Sequence, residues 1–248
     1  MARTASMGFG NAIHYALEFY FRKIDLSNVK TGLPSLSDLI SLFKKGMDIY
    51  HSHFTKIEFE NHLAHGEKVL TAYFETYSQH WLEAKEYKLE HVADDISYHG
   101  IPVKGKLDKI VLYDNKVDVV DYKTGKYRSD KLKPPLGPED NGGDYWRQLV
   151  FYKILIDHDA KNQWQFGNGI MDFVEQDKDG KFHTISHQIS KLDEDLVKDQ
   201  ILDSYAKIKN HEFDGCNEEN CKWCDFVNEI NDLNSPLVGD EVDTYEYM

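Results

Sequence analysis

The chain has 248 residues, 41% hydrophobic and 29% charged, with a formal net charge of −14 and three cysteines. That length holds one large domain or two small ones around a substantial core. No apolar run approaches the roughly 20 residues of a membrane span, the N-terminus lacks a secretory layout, and three cysteines confined to residues 216–224 make no disulfide framework, so a cytoplasmic protein without membrane attachment is expected.

The first third reads as α. Phe9, Ile13, Ala16, Leu17 and Tyr20 recur near helical spacing. A second helix carries the stripe Leu39, Leu42, Phe43, with Ser35 or Ser37 as its N-cap, and a third is expected from about Glu58 to Glu83. From Glu86 the pattern changes to alternation, with turn signals at "YHGIP" and "YDNK". Three antiparallel strands are predicted at about 86–97, 101–113 and 116–123. "PPLGPEDNGGD" is a loop by composition, and "YWRQLVFYKILIDH" is a helix with Asp144 as its expected N-cap. A hairpin around "DKDG", a further helix from Asp193 and the segment "CNEENCKWCDF" complete the ordered part, before an acidic tail at 239–248.

The negative charge argues against a nucleic-acid partner only until its distribution is considered. Lys104–Lys133 holds nine Lys or Arg against five Asp, whereas the chain from Asp214 onward holds ten acids against one lysine.

Four short pieces carry chemistry-bearing side chains: His14 in "GNAIHYALE", Asp108 in "GKLDKIVLY", Asp121 and Lys123 in "VVDYKTG", and Gln148 with Tyr152 on one helix face. Asp121 and Lys123 share a strand face because side chains alternate with period two. Divalent cations such as Mg²⁺ take oxygen ligands and keep several waters, so two carboxylates, a backbone carbonyl at Tyr122 and the His14 imidazole form a plausible donor set. A lysine beside such a site suits orienting water or stabilising charge on phosphorus. Each signal alone also fits a solvated ion pair, a packed histidine or an ordinary helix face.

Taken in order, G-x-x-x-H (Gly10–His14), G-x-x-D (Gly105–Asp108), D-Y-K-T-G (Asp121–Gly125) and Q-x-x-x-Y (Gln148–Tyr152) resemble the PD-(D/E)XK nucleases, with RecB-type nuclease domains as the nearest subgroup. The resemblance covers about residues 8–226. It implies an α/β fold with a mixed central sheet flanked by helices, of the restriction-endonuclease-like kind. The expected organisation is one nuclease domain over 1–238, with a helical region at about 8–85, a catalytic core at about 86–190, and a C-terminal helix and cysteine segment at about 191–230. It further implies Mg²⁺- or Mn²⁺-dependent hydrolysis of DNA phosphodiesters in DNA repair or recombination. His14, Asp108, Asp121 and Tyr122 would bind metal, Lys123 would position water, and Gln148 and Tyr152 would support the site and hold DNA. A catalytically inactive DNA-binding or scaffolding module of the same fold is the alternative.

Many relatives hold a 4Fe–4S cluster through one cysteine before the histidine motif and three near the C-terminus. Here Cys216, Cys221 and Cys224 run as C-x4-C-x2-C with no cysteine before His14. Three thiolates do not close a four-ligand site, so a cluster, a zinc site completed by His211 and ordinary cysteines near a helix end all stand open. The chain carries no G-x-x-x-x-G-K-[ST] loop. The resemblance therefore implies the nuclease domain of a larger helicase–nuclease, or a stand-alone member acting with a partner, with the motor elsewhere.

Overall fold

The computed structural model describes residues 4–24, 32–83, 86–137, 140–212, 215 and 221–234. Helix α1, Ala5–Phe21, starts behind Thr4, whose hydroxyl accepts from the Met7 amide. Its buried residues Phe9, Ala12, Ile13, Ala16, Leu17 and Tyr20 form one inward stripe. Helix α2, Leu36–Ile49, is closed by a capping box between Ser35 and Asp38. Helix α3, Lys56–Tyr77, has the same device in Thr55 and Glu58. Glu58 is therefore the third residue of that helix rather than its start. The helix also stops early, giving way to a tighter turn over Ser78–Leu82 instead of running to Glu83.

Strands β1 (Glu86–Tyr98), β2 (Ile101–Tyr113), β3 (Lys116–Lys123), β4 (Gln165–Phe173) and β5 (His183–His187) form one mixed sheet in the order β1-β2-β3-β4-β5. Every pairing is antiparallel except β3 with β4. A parallel pairing needs a crossover, and helix α4, Asp144–Asp157, supplies it. Asp144 is not the N-cap of α4: Gly143 holds that position, and the Asp144 carboxylate is drawn forward to Arg147 at 2.6 Å. Helix α5 spans Lys191–Lys209 and α6 spans Lys222–Asn234.

Alternation along β3 divides the core. Val117 and Val119 pack with Leu149, Tyr152 and Leu155 of α4. Val120 and Tyr122 pack on the other face with Ile13, Leu17 and Phe21 of α1 and with residues of α2 and α3. The sheet thus lies between two helical layers, the α/β architecture that the resemblance implies. The chain divides into two units, Met1–Leu202 and Asp203–Met248. The first holds the sheet and α1–α4; the second holds, among the described residues, the end of α5 and α6. The tail at 239–248 lies outside the described residues. No helix among the described residues is long and apolar enough to cross a membrane.

Candidate active site

The β2–β3 ladder stops at Lys109–Val120, although β3 runs on to Lys123 and stays paired with β4. The parting of the two strands leaves the Tyr122 amide without a ladder partner on the β2 side. The Asp108 carboxylate fills that place, accepting from Tyr122 N at 3.0 Å through Oδ2. The same oxygen lies 3.4 Å from Nδ1 of His14, which α1 brings over the fork. The Tyr122 ring turns away into the core, stacked on Phe21, so the main chain of this residue is what reaches the site.

Asp121 and Lys123 point to the opposite face, toward α4. Lys123 Nζ donates to Gln148 Oε1 at 2.7 Å. An ammonium only donates, so the Gln148 atom it meets must be the oxygen, which turns the amide NH₂ toward Asp121. That NH₂ donates to Asp121 Oδ1 at 2.9 Å and to the Tyr152 hydroxyl at 2.7 Å, and the hydroxyl donates to Asp121 Oδ1 at 2.6 Å. Gly105 lets α4 sit this close: a Cβ there would lie 2.5 Å from Leu155 Cδ1. Oδ2 of Asp121 differs from Oδ1. The Lys123 ammonium lies 2.7 Å away as its ion-pair partner, and this buried oxygen has no further hydrogen-bond partner among the described residues.

All seven residues line one cleft of about 490 Å³, with Tyr15 and Tyr50 on one side and Tyr145 among the others. Burial works against protonation of His14, but its hydrogen bond to Asp108 and the charges of Asp108, Asp121 and Glu90 outweigh it and raise the pKa above 6.5. Burial, reinforced by the charge of Asp108, raises Asp121 against the pull of Lys123 and Tyr152.

The tightest group of metal-type donors was not foreseen in full. Among the described residues, ligand atoms of His14, Glu90 and Asp108 lie within 4.8 Å of one another, a set that could hold a metal ion. Asp121 stands outside this group. Glu90 escaped notice because nothing in "EYKLEHVADD" sets it apart; only pairing shows it, since Leu89 faces Lys109 and His91 faces Leu107, leaving Glu90 opposite Asp108. Asp118, three residues before Asp121, accepts from Asn168 and takes no part. Cys221 and Cys224 lie at the start of α6, while Cys216 lies outside the described residues.

The imidazole and carboxylate donors of His14, Glu90 and Asp108, with the Asp121 carboxylate lining the same cleft, suit a hard divalent cation. A family model described as the PD-(D/E)XK nuclease superfamily matches residues 2–228. No curated protein matches the chain significantly. Among solved structures, a Eubacterium rectale protein provisionally named an exonuclease is 14% identical, with 95% of this chain and 93% of that one covered and a TM-score of 0.51, a likeness of fold. A protein named SSO0001 is 20% identical, with 75% and 85% covered, but its TM-score of 0.29 carries no argument.

Proposed function

The chain belongs to the PD-(D/E)XK nuclease superfamily, and from that premise we propose that it is an active, Mg²⁺- or Mn²⁺-dependent deoxyribonuclease hydrolysing phosphodiester bonds in this cleft. The observation that carries the reading is the pairing of Lys123 with Oδ2 of the buried Asp121 at 2.7 Å, while Tyr152 and Gln148 hold Oδ1. A module kept only for its fold has no use for a carboxylate and an ammonium buried together in a cleft, because burying such charges costs stability.

In this reading His14, Asp108, Asp121 and the Tyr122 carbonyl hold the cation. When bound, the cation supplies Lewis-acid polarisation of the phosphate and a more acidic water. The ammonium of Lys123 orients the attacking water and stabilises charge growing on the phosphoryl oxygens. Gln148 keeps Lys123 and Asp121 in register, and Tyr152 holds Asp121 Oδ1. The tyrosines lining the cleft suit stacking against bases of DNA. The likeness of the four motifs to helicase–nucleases supports a helicase partner, on the same or a separate chain, and a role in DNA repair; ATP-dependent stimulation of cleavage by an added helicase tests that part.

The experiment for the activity is digestion of DNA with Mg²⁺ or Mn²⁺, abolished by a chelator and by Asp121→Ala and Lys123→Ala. Wild-type protein that binds DNA yet leaves it intact with both metals would be a scaffolding module instead.

A further inference from the structure

Glu90 sits in the middle of β1 with a backbone φ of +50°, a left-handed conformation that costs a non-glycine residue on the order of 1 kcal/mol. Its carboxylate, with a side chain only 13% exposed, lies inside the cleft near His14 and Asp108. Its ion-pair partner is Lys106 of β2, which lies at the rim with 60% of its side chain exposed. Both line the cleft.

We propose that Glu90 and Lys106 form an exchangeable pair: Glu90 serves as a further cation ligand beside His14 and Asp108, and the Lys106 it leaves takes a phosphate of the substrate. The inference rests on the nuclease reading of the same cleft. Charge supports it. With His14 neutral, as a metal-ligating imidazole must be, Asp108, Asp121 and Glu90 against Lys106 and Lys123 leave one net negative charge, since Glu18 is already paired with Arg22 at 2.7 Å. A divalent cation inverts that to one net positive charge, the complement of a single phosphodiester. The exchange leaves no buried charge unpaired, because the interior carboxylate passes from the lysine to the cation, and the exposed lysine it releases is solvated. The lysine is already beside the path of the substrate.

The test uses the full chain and Mn²⁺ alone, without nucleic acid, following free Mn²⁺ by electron paramagnetic resonance. Circular dichroism checks the fold of each variant. E90Q is expected to weaken Mn²⁺ binding by about tenfold or more, with E90D recovering part of the loss. K106Q, which frees Glu90, binds Mn²⁺ as tightly as wild type or more tightly. In the second arm a fluorescent single-stranded oligonucleotide is titrated in Ca²⁺ and in EDTA. K106Q weakens binding in Ca²⁺ and leaves it unchanged in EDTA, where Glu90 holds the lysine. If E90Q binds Mn²⁺ like wild type while D108N does not, the inference fails and the nuclease reading stands. If D108N also binds like wild type, both fail. Equal weakening by K106Q in Ca²⁺ and EDTA removes the exchange.

Discussion

The hydroxyl of Tyr152 donates to Oδ1 of Asp121 at 2.6 Å, from a helix that enters the chain 21 residues after Lys123 to a strand buried beneath it. This contact steadies one oxygen of the carboxylate and leaves the other to the Lys123 ammonium at 2.7 Å. It also lowers the pKa of a group that burial pushes upward.

Tyr152→Phe removes that donor while keeping the ring. A hydrogen bond to a charged group is worth about 1.5–3 kcal/mol, so kcat/KM is expected to fall about tenfold to a hundredfold. With Asp121 in its proposed role as a cation ligand the reaction needs it ionised, and losing a hydrogen bond to the ionised form raises its pKa further. The acid limb of the pH–rate profile therefore moves to higher pH. A profile that keeps its acid limb in place contradicts the coupling of Tyr152 to Asp121.

Lys109 is a buried cation, 7% exposed, with its ammonium 3.8 Å from the Phe21 ring centroid. Burial lowers its pKa to about 8, against the raising effect of Asp172. Between about pH 8 and the unfolded value near 10.4, the unfolded chain holds a proton that the folded one has released. Stability contributed by this residue therefore rises with pH in that window. Denaturant titrations should show the unfolding free energy of wild type gaining on that of Lys109→Met between pH 8 and 10, by at most about 3 kcal/mol. A constant difference would falsify the assignment.

Gly143 and Gly125 flank the loop between β3 and α4 and should respond oppositely to alanine. A Cβ at Gly143 would lie 2.2 Å from the Lys131 carbonyl oxygen, a backbone atom that no rotamer change can move. Gly143→Ala is expected to cost about 1–3 kcal/mol and to lower activity, because α4 carries Gln148 and Tyr152. At Gly125 nothing lies within 4 Å. Gly125→Ala should keep the melting temperature within the shift of about 0.5 kcal/mol typical of surface changes.

Ser35 closes α2 through its capping box with Asp38. Ser35→Ala is expected to cost about 1 kcal/mol. Thermal unfolding measures it, and no change in melting temperature would show that packing alone fixes this helix end.

Much of the fold was legible because its pattern is local. Alternation over Glu86–Lys123 placed β1, β2 and β3 within a residue of their ends, and side-chain chemistry narrowed the cap of α2 to Ser35 or Ser37, of which Ser35 holds it. Where competing groups decide, reading failed. Asp144 has the chemistry of an N-cap, but Arg147 one turn later claims its carboxylate, and Gly143 takes the cap because the chain passes too close to Lys131 for a side chain. His14, Asp108, Lys123 and Gln148 were found as separate pieces, and the fold brings them to one cleft. Glu90 was out of reach, since its position depends on strand pairing and on a left-handed φ that composition does not announce.

The single parallel joint in the sheet, β3 beside β4, has a consequence for the order in which the molecule is made. The antiparallel β1–β2–β3 meander joins neighbours in sequence and can pair early, whereas β4 cannot take its place until α4 has crossed over. Asp108, Asp121 and Lys123 thus leave the ribosome before the helix that holds them. Until that crossover closes, the nascent chain carries Asp121 and Lys123 without the Gln148 and Tyr152 contacts that hold them in place.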